Sequence, residues 1–219
     1  MSSRELILGR LRAVLQRDAG NAAVARRAMA DALGARRPGP RPAFDASPQA
    51  LLERFRVKSE QSSSTVDVVA SEADVPAAVA RYLSAMRLSA SAVAWPALAG
   101  LDWEAAGLAV EARGARDADL VGITGCFCAV AETGTLMLCS SPESPAATSL
   151  LPETHIAVVH AGRIVAGMEE AWMLARSEFG ALPRAVNFIS GPSRTGDIEQ
   201  TIVLGAHGPY RVHLVIVQA

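Results

Sequence analysis

The chain has 219 residues; half are hydrophobic and a fifth are charged, a composition typical of a globular protein with a sizeable core. Its formal net charge of −1 gives no electrostatic basis for binding nucleic acid or an anionic membrane, and no stretch approaches the roughly 20 apolar residues of a membrane-spanning helix. Three cysteines without disulfide spacing, and an N-terminus unlike a secretory signal, predict a cytoplasmic protein.

Residues 1–46 are predicted to form a helical appendage that ends in a linker. Ser2 and Glu5 have the spacing of a capping box. Four apolar residues then repeat at helical spacing, namely Ile7, Leu11, Val14 and Leu15. A second, alanine-rich helix is predicted over residues 22–33, before a stretch rich in Pro, Gly and Arg. The alternative is an arm that docks a partner, but the mild basic charge of the segment favours the appendage.

Residues 47–219 are predicted to form one α/β domain. Helices are expected from Ser47, after Asp74, and over residues 164–175. Eight apolar runs are interpreted as strands, at residues 65–70, 91–95, 108–112, 119–124, 135–140, 155–160, 185–189 and 211–217. The runs are continuous rather than alternating, which suits strands covered on both faces. Their alternation with helices predicts a largely parallel central sheet flanked by helices.

Polar loops that follow strands are the candidate sites, because open α/β sheets bind ligands at the carboxyl ends of their strands. The first such loop contains Thr124, Gly125 and the segment Glu132-Thr133-Gly134-Thr135. Glu132 lies in an apolar stretch beside a glycine, where a carboxylate with a raised pKa can act as a nucleophile or general base. The alternative is a structural glutamate that caps a turn or pairs with an arginine.

A second candidate is the polar segment ISGPSRTGDIEQ, which begins at the end of the apolar run 185–189. It offers a glycine for a tight turn, two hydroxyls, and a planar guanidinium suited to carboxylate or phosphate, on Gly191, Ser193, Thr195 and Arg194. A short helix is expected next, capped by Thr195 or Asp197, and its N-terminus would complete an anion site. The alternative is a structural turn in which Arg194 pairs with Asp197 or Glu199.

Histidine and cysteine give weaker signals. His207 lies between glycines in a turn and is a candidate ligand-binding residue. Cys126, Cys128 and Cys139 are too few for an iron–sulfur cluster held by cysteine alone, and they lack zinc-site spacing. We interpret them as small buried hydrophobic residues, and we predict neither a metal site nor a bound cofactor in this chain.

Three blocks of sequence together resemble the lactate utilization protein C family, also called the LUD domain. They are GITGCFCAVAETGTLML, SLLPETHIAVV and ISGPSRTGDIEQTIVLGAHGPYRVHLVIV, and the similarity is strongest over residues 119–217. Two departures stand out. CFC at residues 126–128 replaces small residues expected in the family, and SPESPAAT at residues 141–148 replaces a loop that often contains Gly and Arg.

The resemblance implies a fold similar to ribose-5-phosphate isomerase and the CoA transferases. It also implies a role in oxidation of L-lactate to pyruvate, beside iron–sulfur partner proteins that would carry the clusters. Some CoA transferases have a nucleophilic glutamate followed closely by glycine, and Glu132-Thr133-Gly134 is similar.

Two functional hypotheses follow. In the first, the chain is a subunit of a lactate-oxidising system and binds a small anionic ligand in a cleft at strand ends. Arg194 would bind the anion, and Glu132 would act as the base. In the second, the chain is a non-catalytic sensing or assembly module. An isomerase or acyl-transfer enzyme of the same fold is a third alternative, and a second copy of the chain is a further candidate partner.

Overall fold

The computed structural model describes residues 2–16, 18, 20–35, 39–40, 43–195 and 203–218. Chain contacts divide the molecule into two compact units, Met1–Ala43 and Phe44–Ala219. The α-helices in the described residues are α1 (Ser3–Val14), α2 (Ala22–Ala35), α3 (Pro48–Gln61), α4 (Val75–Ala85) and α5 (Met168–Phe179). The strands are β1 (Thr65–Val69), β2 (Ser91–Ala94), β3 (Ala109–Ala112), β4 (Val121–Thr124), β5 (Cys128–Val130), β6 (Thr135–Cys139), β7 (Thr154–His160), β8 (Ile164–Val165), β9 (Val186–Ile189), β10 (Arg194–Thr195), β11 (Val203–Leu204) and β12 (Arg211–Val217). Among the residues that the structure describes, none of these helices combines the length and the apolar character needed to cross a bilayer.

The N-terminal unit contains α1 and α2. The predicted capping box is confirmed: the Glu5 amide donates to the Ser2 hydroxyl at 3.3 Å, and the Glu5 carboxylate accepts from the Ser2 amide at 2.7 Å. These bonds satisfy two of the amides that a helix start leaves without a partner. Neither helix contains a buried residue.

The second unit is built on a six-stranded sheet in the order β1-β12-β7-β4-β2-β3, and every neighbouring pair is parallel. This confirms the predicted α/β class with a parallel central sheet and flanking helices. The two longest strands, β7 and β12, lie side by side in the middle and are buried on both faces. Their continuous apolar sequences follow from that position, since neither face of a central strand reaches water.

Each face of the six-stranded sheet has its own apolar core. On one face α4 packs its buried residues, including Val79 and Leu83, against Ile123 and Ile156. The other face is covered by α3 and by a second sheet, with Phe55 of α3 fully buried beside Leu214. A large aliphatic or aromatic side chain buried in this way stabilises the fold by about 2–3 kcal/mol through removal of apolar surface from water.

The second sheet was not predicted. It has four strands in the order β8-β5-β6-β9; β6 runs antiparallel to β5 and β9, while β5 and β8 are parallel. Its outer face is covered by α5 through Ala171 and Ala175. The helix predicted over residues 164–175 therefore begins later than expected, because Ile164 pairs with Ala129 in this sheet. Strands of two to five residues are too short to show a distinctive period, so sequence pattern alone could not assign them to a second sheet.

Candidate functional site

The loop that carries Glu132 is the tip of the β5–β6 hairpin. Gly134 has a φ of +68° and packs so closely on α3 that an added Cβ would lie 2.5 Å from the Ser59 amide nitrogen. Only glycine fits such a position without strain, which explains the glycine after Glu132-Thr133. The Gly134 amide donates to the Val130 carbonyl at 3.0 Å, so it is already used within the hairpin.

The Glu132 side chain is half-buried and lies beside the start of α5. Its amide donates to the Ala166 carbonyl at 3.0 Å, which joins the hairpin tip to the segment before that helix. A Cβ on Gly167 would lie 3.2 Å from a Glu132 carboxylate oxygen, and oxygens of Glu169 and Glu170 would lie within 3.5 Å of the same point. Glu132 therefore lies in an acidic environment at a helix N-terminus, where the partial positive charge of the helix dipole favours carboxylates.

The loop that carries Arg194 docks on the same helix end as the hairpin tip. Gly191 has a φ of +74°, and an added Cβ would collide with the Ser62 carbonyl just beyond α3. The exposed Arg194 guanidinium donates to the Ser63 hydroxyl. Both predicted loops thus pack against the carboxyl-terminal turn of α3 and the residues that follow it, Gly134 at Ser59 and Gly191 at Ser62.

A chain of hydroxyl groups connects the two loops. Thr133 Oγ1 lies 2.7 Å from Thr135 Oγ1, which in turn lies 2.6 Å from Ser190 Oγ. Thr135 is buried, whereas Thr133 and Ser190 are exposed at the two ends. The structure therefore brings the Glu132 loop and the Arg194 loop side by side, although no hydrogen bond or ion pair of the described residues joins the Glu132 carboxylate to the Arg194 guanidinium.

Arg194 lines a cleft of about 360 Å³, which we call the Arg194 cleft. Its polar lining comes from Ser190, Gly191, Ser193, Thr195 and His207, and its apolar lining includes Leu150, Phe188 and Val212. Two bonds hold the walls together: the Ser193 amide donates to the Pro209 carbonyl at 2.8 Å, and the Gly205 amide donates to the Ser193 carbonyl at 3.0 Å. No ion pair of the described residues includes Arg194, whose described partner is a neutral hydroxyl. The cleft can therefore offer a positively charged fork to a carboxylate.

The position of the cleft differs from the expected one. Its walls come from residues that precede parallel strands, such as Leu150 before β7 and Pro209 before β12, and Arg194 touches Ser63 just before β1. The cleft therefore lies at the amino edge of the six-stranded sheet and not at its carboxyl edge. The reason is that β9, which leads into it, belongs to the second sheet, so the rule for parallel strands does not apply to its end.

Thr124 and Gly125 lie elsewhere, at the carboxyl end of β4. The Thr124 hydroxyl is fully buried and lies 2.8 Å from His155 Nε2. A Cβ on Gly125 would touch the Trp95 ring at 3.6 Å, and that ring donates its N–H to the Pro145 carbonyl at 3.0 Å. Neither residue lines the Arg194 cleft, so the structure does not bring all the predicted ligand-binding residues into one site.

Most of the helix expected after Arg194 falls on residues 196–202, which lie outside the described residues. Its last two residues, Val203–Leu204, are not helical, because they pair antiparallel with Arg194–Thr195 as a two-stranded ribbon. Asp197 and Glu199 lie outside the described residues, and so does the predicted pairing of Arg194 with either of them. Sequence pattern did not single out Ser63 and Ser190, although both belong to runs of turn-forming residues at the ends of apolar elements.

The three cysteines are free thiols, and Cys128 and Cys139 are buried. Burial raises the pKa of Cys128 to about 12 and that of Cys139 to about 11, so neither buried thiol provides a reactive thiolate near neutral pH. Within the described ranges, no group of three or more His, Cys, Asp or Glu side chains is arranged to hold a metal ion.

Comparisons with known proteins give a consistent result. A model of the LUD domain matches residues 99–217, more than half of the chain. Lactate utilization protein C of Bacillus licheniformis is 33% identical over 120 residues, covering 53% of this chain and 50% of that protein. Lactate utilization protein C of Bacillus subtilis is 39% identical over 100 residues, covering 44% of this chain and 42% of that protein. The chain therefore spans about half the length of the curated relatives it matches.

A solved structure supports the fold. The crystal structure of a DUF162 family protein from Deinococcus radiodurans matches with a TM-score of 0.59 at 24% identity. The match covers 79% of this chain and 99% of that one.

Proposed function

Because this chain belongs to the LUD domain family, we propose that it is a component of L-lactate utilization that binds a small carboxylate in the Arg194 cleft. The name shared by the curated relatives supports the metabolic role. L-Lactate and pyruvate, the substrate and product of the oxidation, are both small carboxylates that one guanidinium can bind through two N–H groups.

The observation that carries the ligand proposal is the state of Arg194. Its guanidinium is exposed in a cleft lined by hydroxyls, and no ion pair of the described residues neutralises it. A charge-assisted bond to a carboxylate contributes about 1.5–3 kcal/mol, which corresponds to an affinity gain of about 10- to 100-fold. Ser193 and His207 would distinguish a hydroxy acid or keto acid from acetate by bonding its second polar group.

The redox step is assigned to partner proteins. We propose that iron–sulfur proteins in the cytoplasm carry the electrons of the oxidation, and that this chain binds no cofactor of its own. Glu132 stays a candidate base. Its carboxylate does not line the Arg194 cleft, but the hydroxyl chain from Thr133 to Ser190 begins at the neighbouring residue.

The ligand proposal is tested by calorimetric titration with L-lactate and with pyruvate, using lactamide as the uncharged analogue. We expect binding of at least one acid, no binding of lactamide, and a loss of about tenfold or more in affinity for Arg194→Gln. Arg184→Gln is the matched control, since Arg184 is an exposed arginine outside the cleft. Equal affinities for Arg194→Gln and the wild type would remove the cleft as the binding site.

The metabolic role needs a separate test in the native host. Deletion of the gene is expected to abolish growth on L-lactate and not on glucose, and the iron–sulfur partners are expected to co-purify with the tagged chain. Normal growth of the deletion strain on L-lactate would refute the proposed role. Normal growth of the Glu132→Gln strain would remove Glu132 as the base and leave the rest of the proposal standing.

A further inference from the structure

The turn that ends α3 holds a serine in a left-handed backbone conformation. Ser63 has a φ of +67°. Its amide donates to the Glu60 carbonyl at 2.9 Å, and the Ser64 amide donates to the Ser59 carbonyl at 3.0 Å. This pair of bonds is the Schellman motif, in which glycine usually takes the left-handed position. A residue with a Cβ is crowded against the backbone there, so the folded state is less stable than it would be with glycine.

The end of α4 has the same motif and serves as a reference. Arg87 has a φ of +55°, and its amide donates to the Ser84 carbonyl at 3.0 Å. The Leu88 amide donates to the Leu83 carbonyl at 2.9 Å. The exposed Arg87 side chain does not line the Arg194 cleft. Arg87 therefore shares the backbone conformation of Ser63 at a position outside the cleft.

The partner of its side chain distinguishes Ser63 from Arg87. The Ser63 hydroxyl accepts a hydrogen bond from the guanidinium of Arg194, 131 residues further along the chain. The loop that carries Arg194 docks on the adjoining residue, because an added Cβ on Gly191 would collide with the Ser62 carbonyl. The end of α3 therefore holds this loop through its backbone and the guanidinium through the side chain of Ser63.

A neutral partner suits an arginine that binds an anion. A carboxylate in the place of the Ser63 hydroxyl would neutralise the guanidinium, whereas a hydroxyl orders it and leaves its positive charge for the ligand. The hydroxyl takes one N–H group of the guanidinium, and the others stay available for a two-point bond to a carboxylate. An arginine side chain loses rotamer freedom when it binds a ligand, and a partner that orders it beforehand makes this entropy loss smaller.

We propose that Ser63 is a positioning residue of the Arg194 cleft, which orders the Arg194 guanidinium for a carboxylate ligand although glycine would stabilise the same turn better. One substitution should then change two properties in opposite directions. Ser63→Gly should make the fold more stable and ligand binding weaker. If Ser63 were only a structural residue, the same substitution would leave binding unchanged or improve it.

Calorimetric titration with L-lactate and with pyruvate, combined with thermal unfolding, tests this role. For Ser63→Gly we expect a melting temperature about 2–4 °C above that of the wild type and an affinity about 2- to 10-fold lower. Ser63→Ala removes the hydroxyl without adding backbone freedom and should lower the affinity to the same extent. Ser63→Asn should restore the affinity to within about twofold of the wild type, because asparagine tolerates the left-handed conformation and its side-chain carbonyl can accept from Arg194.

Arg87→Gly is the matched control. It introduces glycine at the same left-handed position of the same motif, so it should raise the melting temperature as Ser63→Gly does. Its affinity for both acids should equal that of the wild type. All titrations are made at about 0.15 M salt, which screens the charge that this substitution removes.

Arg194→Gln separates this role from the proposed function on which it rests. If Arg194→Gln lowers the affinity and Ser63→Gly leaves it unchanged, Ser63 has no positioning role and the Arg194 cleft stands. A lower melting temperature of Ser63→Gly, or an affinity loss that Ser63→Asn does not reverse, would also overturn the role of Ser63. If neither Arg194→Gln nor Ser63→Gly changes binding, or if the wild type binds neither acid, the cleft and the role of Ser63 are both wrong.

Discussion

Two histidines buried in the central sheet make the stability of this protein depend on pH in a predictable way. His155 and His213 lie on neighbouring strands, β7 and β12, and are 0% and 2% exposed. Burial lowers the pKa of each from 6.5 to about 4, because a charged imidazolium would have to leave water. At His213 the nearby Asp67 carboxylate opposes this effect only in part.

The sign and size of the effect follow from proton linkage. In the unfolded chain each histidine takes up a proton near pH 6.5, whereas in the folded chain it stays neutral down to about pH 4. The two neutral histidines therefore make their full contribution to the free energy of unfolding above pH 7. That contribution falls as the pH drops from 6.5 towards 4, and it changes no further below about pH 4. Between pH 7 and pH 5 the loss is about 2 kcal/mol for each histidine, hence about 4 kcal/mol for the pair.

His213→Phe isolates half of this effect. The His213 ring stacks on Tyr82 with centroids 3.9 Å apart and planes 7° apart, a contact that phenylalanine can keep. The substitution also removes a buried ring nitrogen, Nε2, that has no partner, and the lost bond to Thr65 leaves a hydroxyl that water can reach. We expect the free energy of unfolding of the variant at pH 7 to lie within about 1 kcal/mol of the wild-type value. Between pH 7 and pH 5 the variant should lose about 2 kcal/mol of that free energy, whereas the wild type loses about 4 kcal/mol.

The assay is urea unfolding followed by tryptophan fluorescence at pH 7, 6 and 5. This window avoids Asp119 and Glu178, whose pKa values are lowered by hydrogen bonds from Arg113 and Arg163 and which titrate in more acidic solution. His207→Gln, at an exposed histidine, controls for the loss of a histidine and should keep the wild-type slope. If His213→Phe loses as much stability as the wild type between pH 7 and pH 5, the account of buried neutral histidines is wrong.

Three further substitutions test the packing around the site. Gly191→Ala should destabilise the protein by about 2 kcal/mol or more, because alanine would have to adopt the left-handed φ of Gly191 and its Cβ would collide with a backbone carbonyl. Gly162→Ala is the control: an added Cβ there would have no atom within 4 Å, so the free energy of unfolding from the same urea titration should change little. Phe55→Ala should cost about 3–5 kcal/mol, because it empties a fully buried position, and a melting temperature near that of the wild type would contradict this. Thr135→Val should break the hydroxyl chain and cost about 1–2 kcal/mol, and amide exchange should rise around Ser190 if that chain orders the loop.

Local and periodic features of the sequence were enough to predict the class of fold. The capping box at Ser2 and the long apolar runs of β7 and β12 depend on residues close in sequence, and both were identified correctly. Alternation of amphipathic helices with short, continuous apolar runs predicted the parallel sheet, because such runs suit strands that helices cover on both faces.

The candidate site depended on contacts between distant residues, and the sequence could not supply them. Gly191 was recognised as a turn residue and Gly134 as a candidate ligand-binding residue, but the common surface on which both dock, the end of α3, is more than 70 residues away along the chain. Thr124 was grouped with Arg194 on the evidence of a polar loop after a strand, whereas its hydroxyl is held in the core by His155.

By itself, then, the sequence determined the α/β class, most of the elements and the resemblance to the LUD domain family, since periodicity, capping and motif spacing are properties of neighbouring residues. Only the tertiary structure decided that β5, β6, β8 and β9 form a separate sheet and that the Arg194 cleft opens at the amino edge of the parallel one. Strand pairing and loop docking are set by which distant surfaces fit together, and a short apolar run is compatible with either sheet until its neighbours are in place.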